Sequence, residues 1–184
     1  MRTLSPLPLA AALAATFLLT ACGGGSGADG PKNADPAPAP AKGAACALGD
    51  MGVEVGAGAA PAAGDTGNVT VTLTNQGAQC TLKGFPGVDL LAESSTTNVL
   101  PEEGAQARPL TLAKGATTSF TITYVRGEAD PAKSLSVHAA SFTLPGATKD
   151  EHELKWSYGE VARQGGGEGG GAQASVSGFE SSGD

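Results

Sequence analysis

The chain has 184 residues and carries 11 Lys and Arg against 18 Asp and Glu, a formal net charge of −7. This length suits one domain and is short for two, and the composition excludes a polytopic membrane protein, a coiled coil and a collagen. No run of basic residues occurs. The clustered positive surface that nucleic-acid binding requires is therefore missing, and a polybasic attachment to anionic lipid is excluded as well.

The first 21 residues have the features of a bacterial signal peptide. Arg2 supplies a positive start, and the uncharged, mostly apolar stretch that follows ends at Ala21. Pro6 and Pro8 leave about a dozen residues for a helix, which is short for a membrane span and typical of a signal-peptide core. We therefore predict that residues 1–21 are a leader and that the remaining chain is extracytoplasmic.

The leader ends in Leu19-Thr20-Ala21-Cys22, which resembles a bacterial lipobox: an apolar residue, two small residues and a cysteine. The small residues let a signal peptidase hold the extended backbone, and the cysteine thiol accepts a diacylglyceryl group. Two acyl chains contribute ~0.8 kcal/mol per buried CH₂, which makes a stable anchor. We predict that Cys22 is lipidated and holds the protein on the membrane. The alternative is an ordinary signal peptide with an incidental Cys22.

Two segments flank the predicted domain, which comprises residues 46–163. Residues 22–45 combine a glycine-rich start with a Pro-Ala repeat, so we predict a flexible, partly extended linker. Residues 164–184 contain a glycine run from Gly165 to Gly171 and end in serines, glycine and acids. Because such a composition does not bury a core, we predict a disordered, acidic tail.

Within residues 46–163, apolar and polar residues alternate with the two-residue period of a strand that buries one face. The positions on the predicted buried faces are Met51, Val53 and Val55; Val69, Val71 and Leu73; Leu110 and Leu112; Phe120, Ile122 and Tyr124; and His152, Leu154, Trp156 and Tyr158. Turn residues separate these sets. We predict an all-β domain of roughly seven or eight strands, an antiparallel β-sandwich of the Ig-like type, with a small closed barrel as the alternative.

The segment Gly84, Phe85, Pro86 and Gly87 is predicted to be a structural turn before Val88. Within it, Phe85-Pro86-Gly87-Val88 fits a type II turn, because Pro86 fixes φ at the second position and Gly87 tolerates positive φ at the third. Phe85 and Val88 then flank the turn and pack.

The two cysteines of the predicted domain, Cys46 and Cys80, are an even pair in a chain predicted to enter an oxidising compartment. A bridge between them closes a loop of about 35 residues, and the chain-entropy relation assigns it roughly 3–4 kcal/mol of stability. Two buried free thiols are the alternative.

A distinctive run extends from Leu73 to Val88: an apolar strand, Thr-Asn, a short turn, Cys-Thr-Leu, one residue, Gly-Phe and Pro-Gly-Val. It resembles the central signature of an actinobacterial lipoprotein family, the domain of unknown function 4232. The early Cys46, the segment 112–124 and the segment 142–146 fit the same pattern, so the likeness covers about residues 45–160. The resemblance implies an extracytoplasmic sandwich with a Cys46–Cys80 bridge, and it implies no known activity.

No catalytic constellation is recognisable in the sequence. His138 and His152 are the two histidines, and His152 lies on the Trp156 face of a predicted strand, where a packed or edge position is expected. The acidic pairs Glu102-Glu103 and Asp150-Glu151 adjoin turn signals, and we interpret them as solvated loop charge rather than calcium ligands. We predict no catalytic, cofactor-binding or metal-binding residue.

These observations favour a membrane-anchored, non-catalytic binding domain whose partner is a protein or a polysaccharide of the cell envelope. We expect a monomer that uses no cofactor and binds no nucleic acid. One alternative is a structural or accessory subunit of an envelope assembly. Another is a hydrolase of envelope polymers, because carboxylates that meet only in space leave no sequence signal.

Overall fold

The computed structural model describes residues 43–93, 95–147, 149–166 and 169–181. The predicted leader, Cys22 and most of the predicted linker lie outside the described residues. Inside them the secondary structure is nearly all β, and the two helical turns, Leu48–Asp50 and Gln164–Gly166, span three residues each. The prediction of an all-β domain is confirmed.

The described residues form fourteen strands, most of them short. In chain order they are β1 (Ala44–Ala45), β2 (Met51–Gly58), β3 (Thr66–Asn75), β4 (Cys80–Leu82), β5 (Gly87–Ala92), β6 (Ser95–Pro101), β7 (Leu110–Leu112), β8 (Thr117–Val125), β9 (Ser134–Leu135), β10 (Val137–Thr143), β11 (Glu151–Lys155), β12 (Val161–Ala162), β13 (Ala174–Val176) and β14 (Glu180–Ser181). The sequence predicted fewer strands because segments of two or three residues are too short to show a period.

One long sheet runs through most of the domain. Its strands follow the order β11-β10-β5-β6-β13-β8-β3-β2, and β14 pairs with β8. A three-stranded sheet, β1-β4-β7, and a two-stranded pair, β9-β12, complete the pairing of the described strands. Most neighbours are antiparallel. However, β1 runs parallel to β4 and β13 runs parallel to β6, so the prediction of a purely antiparallel arrangement is wrong at these two contacts.

The long sheet curls until its two halves face each other. The rings of Phe120 on β8 and Phe142 on β10 lie 5.2 Å apart, although three strands separate β8 from β10 in the sheet order. Tyr124 on β8 and Trp156, which follows β11, lie 5.0 Å apart. Strand β13 joins the halves on one side, and no pairing joins β2 to β11 among the strands that the structure describes. The domain is therefore sandwich-like and open on one side.

Strands β3 and β8 alternate between buried and more exposed positions along their length, as the sequence predicts. Their inward side chains build the centre of the core and include Val69, Val71, Leu73, Phe120 and Ile122. The outward faces carry threonines, two of which, opposite each other on β3 and β8, share a hydrogen bond of 3.1 Å between their hydroxyls. Apolar burial on one face and polar contacts on the other suit these strands to their long pairing.

Tyr124 ties three segments together within the core. Its hydroxyl donates a hydrogen bond to the carbonyl oxygen of Tyr158 at 3.0 Å and accepts one from the backbone N–H of Ala60 at 3.2 Å. Gly67 lies directly against the ring, where a Cβ would come within 2.5 Å of the ring carbon Cε1. Glycine is needed at this position because the aromatic ring leaves no room for a side chain.

Strand β2 departs from the predicted alternation. Met51 is buried and Val53 is half-buried, as predicted, but Val55 is 42% exposed and the rest of the strand is exposed with it. No described strand covers this end of β2, so the prediction that Val55 lies on a buried face is wrong.

The segment from Gly84 to Gly87 does not form the predicted type II turn. Positive φ, 128°, falls at Gly84, whereas Gly87 already belongs to β5 and pairs with Thr143. Pairing with β10 holds Gly87 in an extended conformation, and its lack of a side chain serves a close approach instead: a Cβ there would lie 2.7 Å from the Thr143 hydroxyl oxygen. Val88 is fully buried in the core, as predicted, whereas Phe85 is only half-buried.

The prediction of a disordered tail over residues 164–184 is wrong for the described residues 164–166 and 169–181. Strand β13 pairs with β6 and β8, and β14 continues along β8. Val176 is fully buried, and the Phe179 ring packs 5.7 Å from the ring of Phe120. The folded domain thus extends beyond residue 163, because a few apolar residues of a glycine-rich segment complete the core of the sheet.

The contribution of this C-terminal segment is testable with a pair of neighbouring variants. We expect Val176→Ala to lower the free energy of unfolding by about 2 kcal/mol, since it removes buried methyl groups and leaves a cavity. Ser175→Ala, at a half-buried position, should change it by about 0.5 kcal/mol or less. Urea unfolding followed by the fluorescence of Trp156 measures both. Equal, small effects would contradict the assignment of β13 to the core.

Candidate functional site

A disulfide fastens the beginning of the domain to the sheet. Cys46 and Cys80 are bonded, with their Cα atoms 4.9 Å apart, and the backbone N–H of Cys46 donates a hydrogen bond to the carbonyl oxygen of Thr81 at 3.1 Å. Just before it, β1 (Ala44–Ala45) pairs with β4, so the predicted linker ends earlier than residue 45. The predicted Cys46–Cys80 bridge is confirmed, and it indicates an oxidising, extracytoplasmic compartment.

Asn75 is the polar centre of the same end of the domain. The residue is fully buried, and its side-chain amide donates to the carbonyl oxygens of Ala78, Leu112 and Ala113 at 2.9 to 3.2 Å. Its Oδ1 atom accepts the backbone N–H of Gly77 at 3.0 Å. The asparagine of the sequence signature thus connects the end of β3 to the turn before β4, to the last residue of β7 and to the residue after it. This is a structural role and not a ligand-binding one.

The two histidines lie on neighbouring strands but far apart along them. His152 on β11 pairs with Phe142 on β10, and His138 lies four residues earlier on β10. At about 3.3 Å per residue, this separation is about 13 Å, too far for both rings to hold one ligand. The His152 ring packs 5.4 Å from the Phe142 ring, as the predicted edge position implies.

The acidic pairs occupy exposed positions in different parts of the fold. Glu102-Glu103 follows β6, and Asp150-Glu151 stands at the start of β11. The second pair lines a cavity of about 490 Å³ together with Asp50 and His152. Within the described residues, no three His, Cys, Asp or Glu side chains lie close enough together to hold a metal ion.

A cavity of about 570 Å³ lies between the loop before β7 and the C-terminal segment. We call it the rim groove; it is lined by Gln106, Arg108, Pro109, Leu110, Gly178, Phe179, Glu180 and Ser181. The half-buried Phe179 lines this cavity together with polar and charged residues of both segments. The groove therefore offers hydrogen-bond donors and acceptors beside an apolar surface, the combination typical of a binding site.

Two hydrogen bonds attach the walls of the rim groove to neighbouring strands. The loop between β6 and β7 begins at Glu102, whose N–H donates to the carbonyl oxygen of Val176 on β13 at 3.0 Å. The other wall is tied to β8, because the Thr118 hydroxyl donates to the carbonyl oxygen of Glu180 at 2.7 Å. Within the described part of the chain, Lys133 and Glu128 form the one ion pair. Arg108 and Glu180 therefore do not form an ion pair with each other.

The rim groove was not predicted from the sequence. One wall belongs to the segment that its glycine content marked as a tail, and the other is an irregular loop without a motif. The alternation of Ala174 and Val176 and the aromatic Phe179 are the signals that indicate a structured C-terminal segment.

The fold and the bridge define the class of protein: an extracytoplasmic, disulfide-bonded all-β domain. The family model described as domain of unknown function (DUF4232) matches residues 46–180, and the chain belongs to this family. The match includes β13 and reaches β14, in agreement with the folded C-terminal segment. Among the described residues no helix is long and apolar enough to cross a membrane. No curated protein and no solved structure matches the chain.

The role of Asn75 is testable by comparison with an exposed asparagine. We expect Asn75→Ala to lower the free energy of unfolding by about 3 kcal/mol, because buried carbonyl groups lose their donor. Asn75→Asp should cost at least as much, since a carboxylate oxygen then faces those carbonyls. Asn98→Ala, which removes hydrogen bonds of an exposed side chain, should cost about 1 kcal/mol or less. Urea unfolding measures all three, and similar values would contradict the role of Asn75.

Proposed function

We propose that the protein is a lipid-anchored, non-catalytic domain that binds a neutral polysaccharide of the cell envelope. The anchor is supported by Cys22 at the end of Leu19-Thr20-Ala21, followed by a glycine-rich and Pro-Ala linker that separates the domain from the bilayer. The Cys46–Cys80 bridge supports the extracytoplasmic location independently of the leader.

The rim groove is the observation that carries the binding part of the proposal. Its volume lies within the ~300–1,000 Å³ of typical ligand sites. A sugar polymer presents hydroxyl groups that both donate and accept: Gln106 offers both functions, Arg108 donates and Glu180 accepts. The Phe179 ring and Pro109 provide apolar surface against which the C–H faces of sugar rings pack.

The charge of the chain favours a neutral polymer over a polyanion. The formal net charge is −7, and within the rim groove the Glu180 carboxylate stands opposite the single cation, Arg108. An anionic polymer meets repulsion from the acidic surface, whereas a neutral one does not.

A second candidate is an accessory subunit of an envelope protein assembly. Leu100 on β6 is 67% exposed and offers such a partner an apolar contact. Envelope crosslinking followed by mass spectrometry separates the two functions. A single stoichiometric protein partner supports the accessory role and contradicts the polysaccharide proposal.

The anchor is testable without knowledge of the ligand. In a bacterium that processes lipoproteins, we expect the full chain to incorporate labelled palmitate and globomycin to block its processing. Cys22→Ser should abolish the label, whereas Gly23→Ala should retain it, since only the thiol accepts the diacylglyceryl group. Unlabelled chain that is processed normally in the presence of globomycin would show that no anchor is made.

The rim groove is testable by sedimentation with insoluble envelope polysaccharide, using the full chain with Cys22→Ser. We expect Gln106→Ala and Arg108→Ala each to weaken binding about ten-fold, the effect of losing roughly 1.4 kcal/mol of hydrogen bonding. Lys114→Ala, in the exposed turn between β7 and β8, is the matched control and should bind normally.

Two outcomes contradict this function. Equal binding by all three variants would remove the rim groove as the site. Breakdown of the polymer that a single carboxylate substitution abolishes would assign the protein to the hydrolases instead.

A further inference from the structure

The two terminal strands of the long sheet differ sharply in their protection. Strand β11, Glu151–Lys155, has three charged residues among five, which is how natural sheets prevent edge-to-edge pairing. Strand β2, Met51–Gly58, has one charge, Glu54, among eight residues, and its second half is exposed. No Pro or Lys interrupts β2. Among the described strands none pairs with the outer edge of β2, and this edge is therefore available to another strand.

The hydrogen bonds around β3 show which backbone groups of β2 point outward. Asn75 exchanges backbone hydrogen bonds with Gly115 and Ala116 on its β8 side, so its pairing with Met51 carries no bond between β2 and β3. Hydrogen-bonded and non-bonded pairs alternate along an antiparallel ladder. The N–H and C=O groups of Val53, Val55 and Ala57 therefore point away from β3.

We propose that β2 pairs with β2 of a second copy of this chain, in an antiparallel register centred on Val55. Val55 then lies opposite Val55 of the second copy. Val53 of each copy lies opposite Ala57 of the other. All three are hydrogen-bonded pairs, since each uses outward-pointing groups. The sheets of the two copies become continuous, and the expectation of a monomer is replaced by a two-fold dimer.

Charge and side-chain size select this register. Centring on Val55 places Glu54 opposite Gly56, whereas centring on Glu54 would place two carboxylates directly opposite each other at a destabilising position. The chosen register also pairs every residue from 52 to 58 and brings the exposed Val55 side chains into contact. The sequence of β2 is therefore complementary to itself in charge and in side-chain size. For this reason we name a second copy, rather than a foreign strand, as the occupant.

Cysteine crosslinking tests both the pairing and its register. In the full chain with Cys22→Ser, native cysteines 46 and 80 are tied in their disulfide, and Val55→Cys should form crosslinked dimers under mild oxidation. Hydrogen-bonded antiparallel pairs have Cα atoms about 5.5 Å apart, within disulfide range. Ala57→Cys alone should crosslink at least ten-fold more slowly, because the two positions are offset by four residues, about 13 Å.

A mixture of two variants makes the register test specific. Val53→Cys mixed with Ala57→Cys should give the heterodimer at a rate close to that of Val55→Cys alone. Equal rates for all single variants would indicate random collision and overturn the proposal. Faster crosslinking of Ala57→Cys than of Val55→Cys would overturn the register.

A proline variant separates loss of pairing from loss of fold. Val55→Pro removes an outward N–H and leaves the bonds to β3 in place, so it should abolish dimers in sedimentation equilibrium with little loss of stability. Leu100→Ser, which removes the most exposed large apolar side chain elsewhere, should leave dimerisation unchanged. Monomers of the parent chain at millimolar concentration, or dimers lost equally in both variants, would overturn pairing through β2. Pairing of β2 with a strand of another protein, in place of a second copy, would contradict the proposal that a second copy is the occupant.

Discussion

The pairing of β13 with β6 on one side and β8 on the other is the contact on which the rest of the structure depends. Strands β6 and β8 belong to opposite halves of the curled sheet, and β13 is the strand that joins them in the described pairing. Between β13 and β14 a side chain continues the hydrogen bonding to β8: the Thr121 N–H donates to the Ser177 hydroxyl at 2.9 Å. Strand β14 then pairs with β8 again. Without this segment, β8 exposes unpaired backbone groups and the core loses Val176.

A covalent and a polar constraint act where β3 ends and β4 begins. The Cys46–Cys80 bridge restricts the start of the domain, while the Asn75 amide donates hydrogen bonds to three carbonyl oxygens, one in the turn after β3 and two where β7 ends. The two act differently. The disulfide mainly reduces the entropy of the unfolded chain, whereas the buried amide satisfies groups that would otherwise be desolvated without partners in the folded state.

The sequence predicted what depends on long alternation and missed what depends on distant contacts. Strands β3 and β8 are confirmed because ten and nine residues show a period clearly. The type II turn at Gly87 is wrong because pairing with Thr143, 56 positions away in the chain, decides its conformation. The tail prediction fails at β13 because a strand of three residues within a glycine-rich segment carries only a weak periodic signal. The rim groove could not be predicted from the sequence either, because its two walls are far apart in the chain and only the fold brings them together.

The proposed rim groove and the proposed dimer edge lie on opposite sides of one set of strands, which gives their combination a physical meaning. From β14 through β8 and β3 to β2 there are three strand spacings, roughly 14 Å, so pairing at β2 leaves the groove uncovered. A dimer joined at β2 then holds two grooves seven spacings apart, at most about 34 Å. A polymer repeats its binding unit, and two linked sites bind such a ligand up to ~10²–10⁴-fold more tightly than one site does. Modest affinity at each groove is therefore sufficient for retention when the partner is a repetitive polysaccharide, whereas a single protein epitope gains nothing from the second groove.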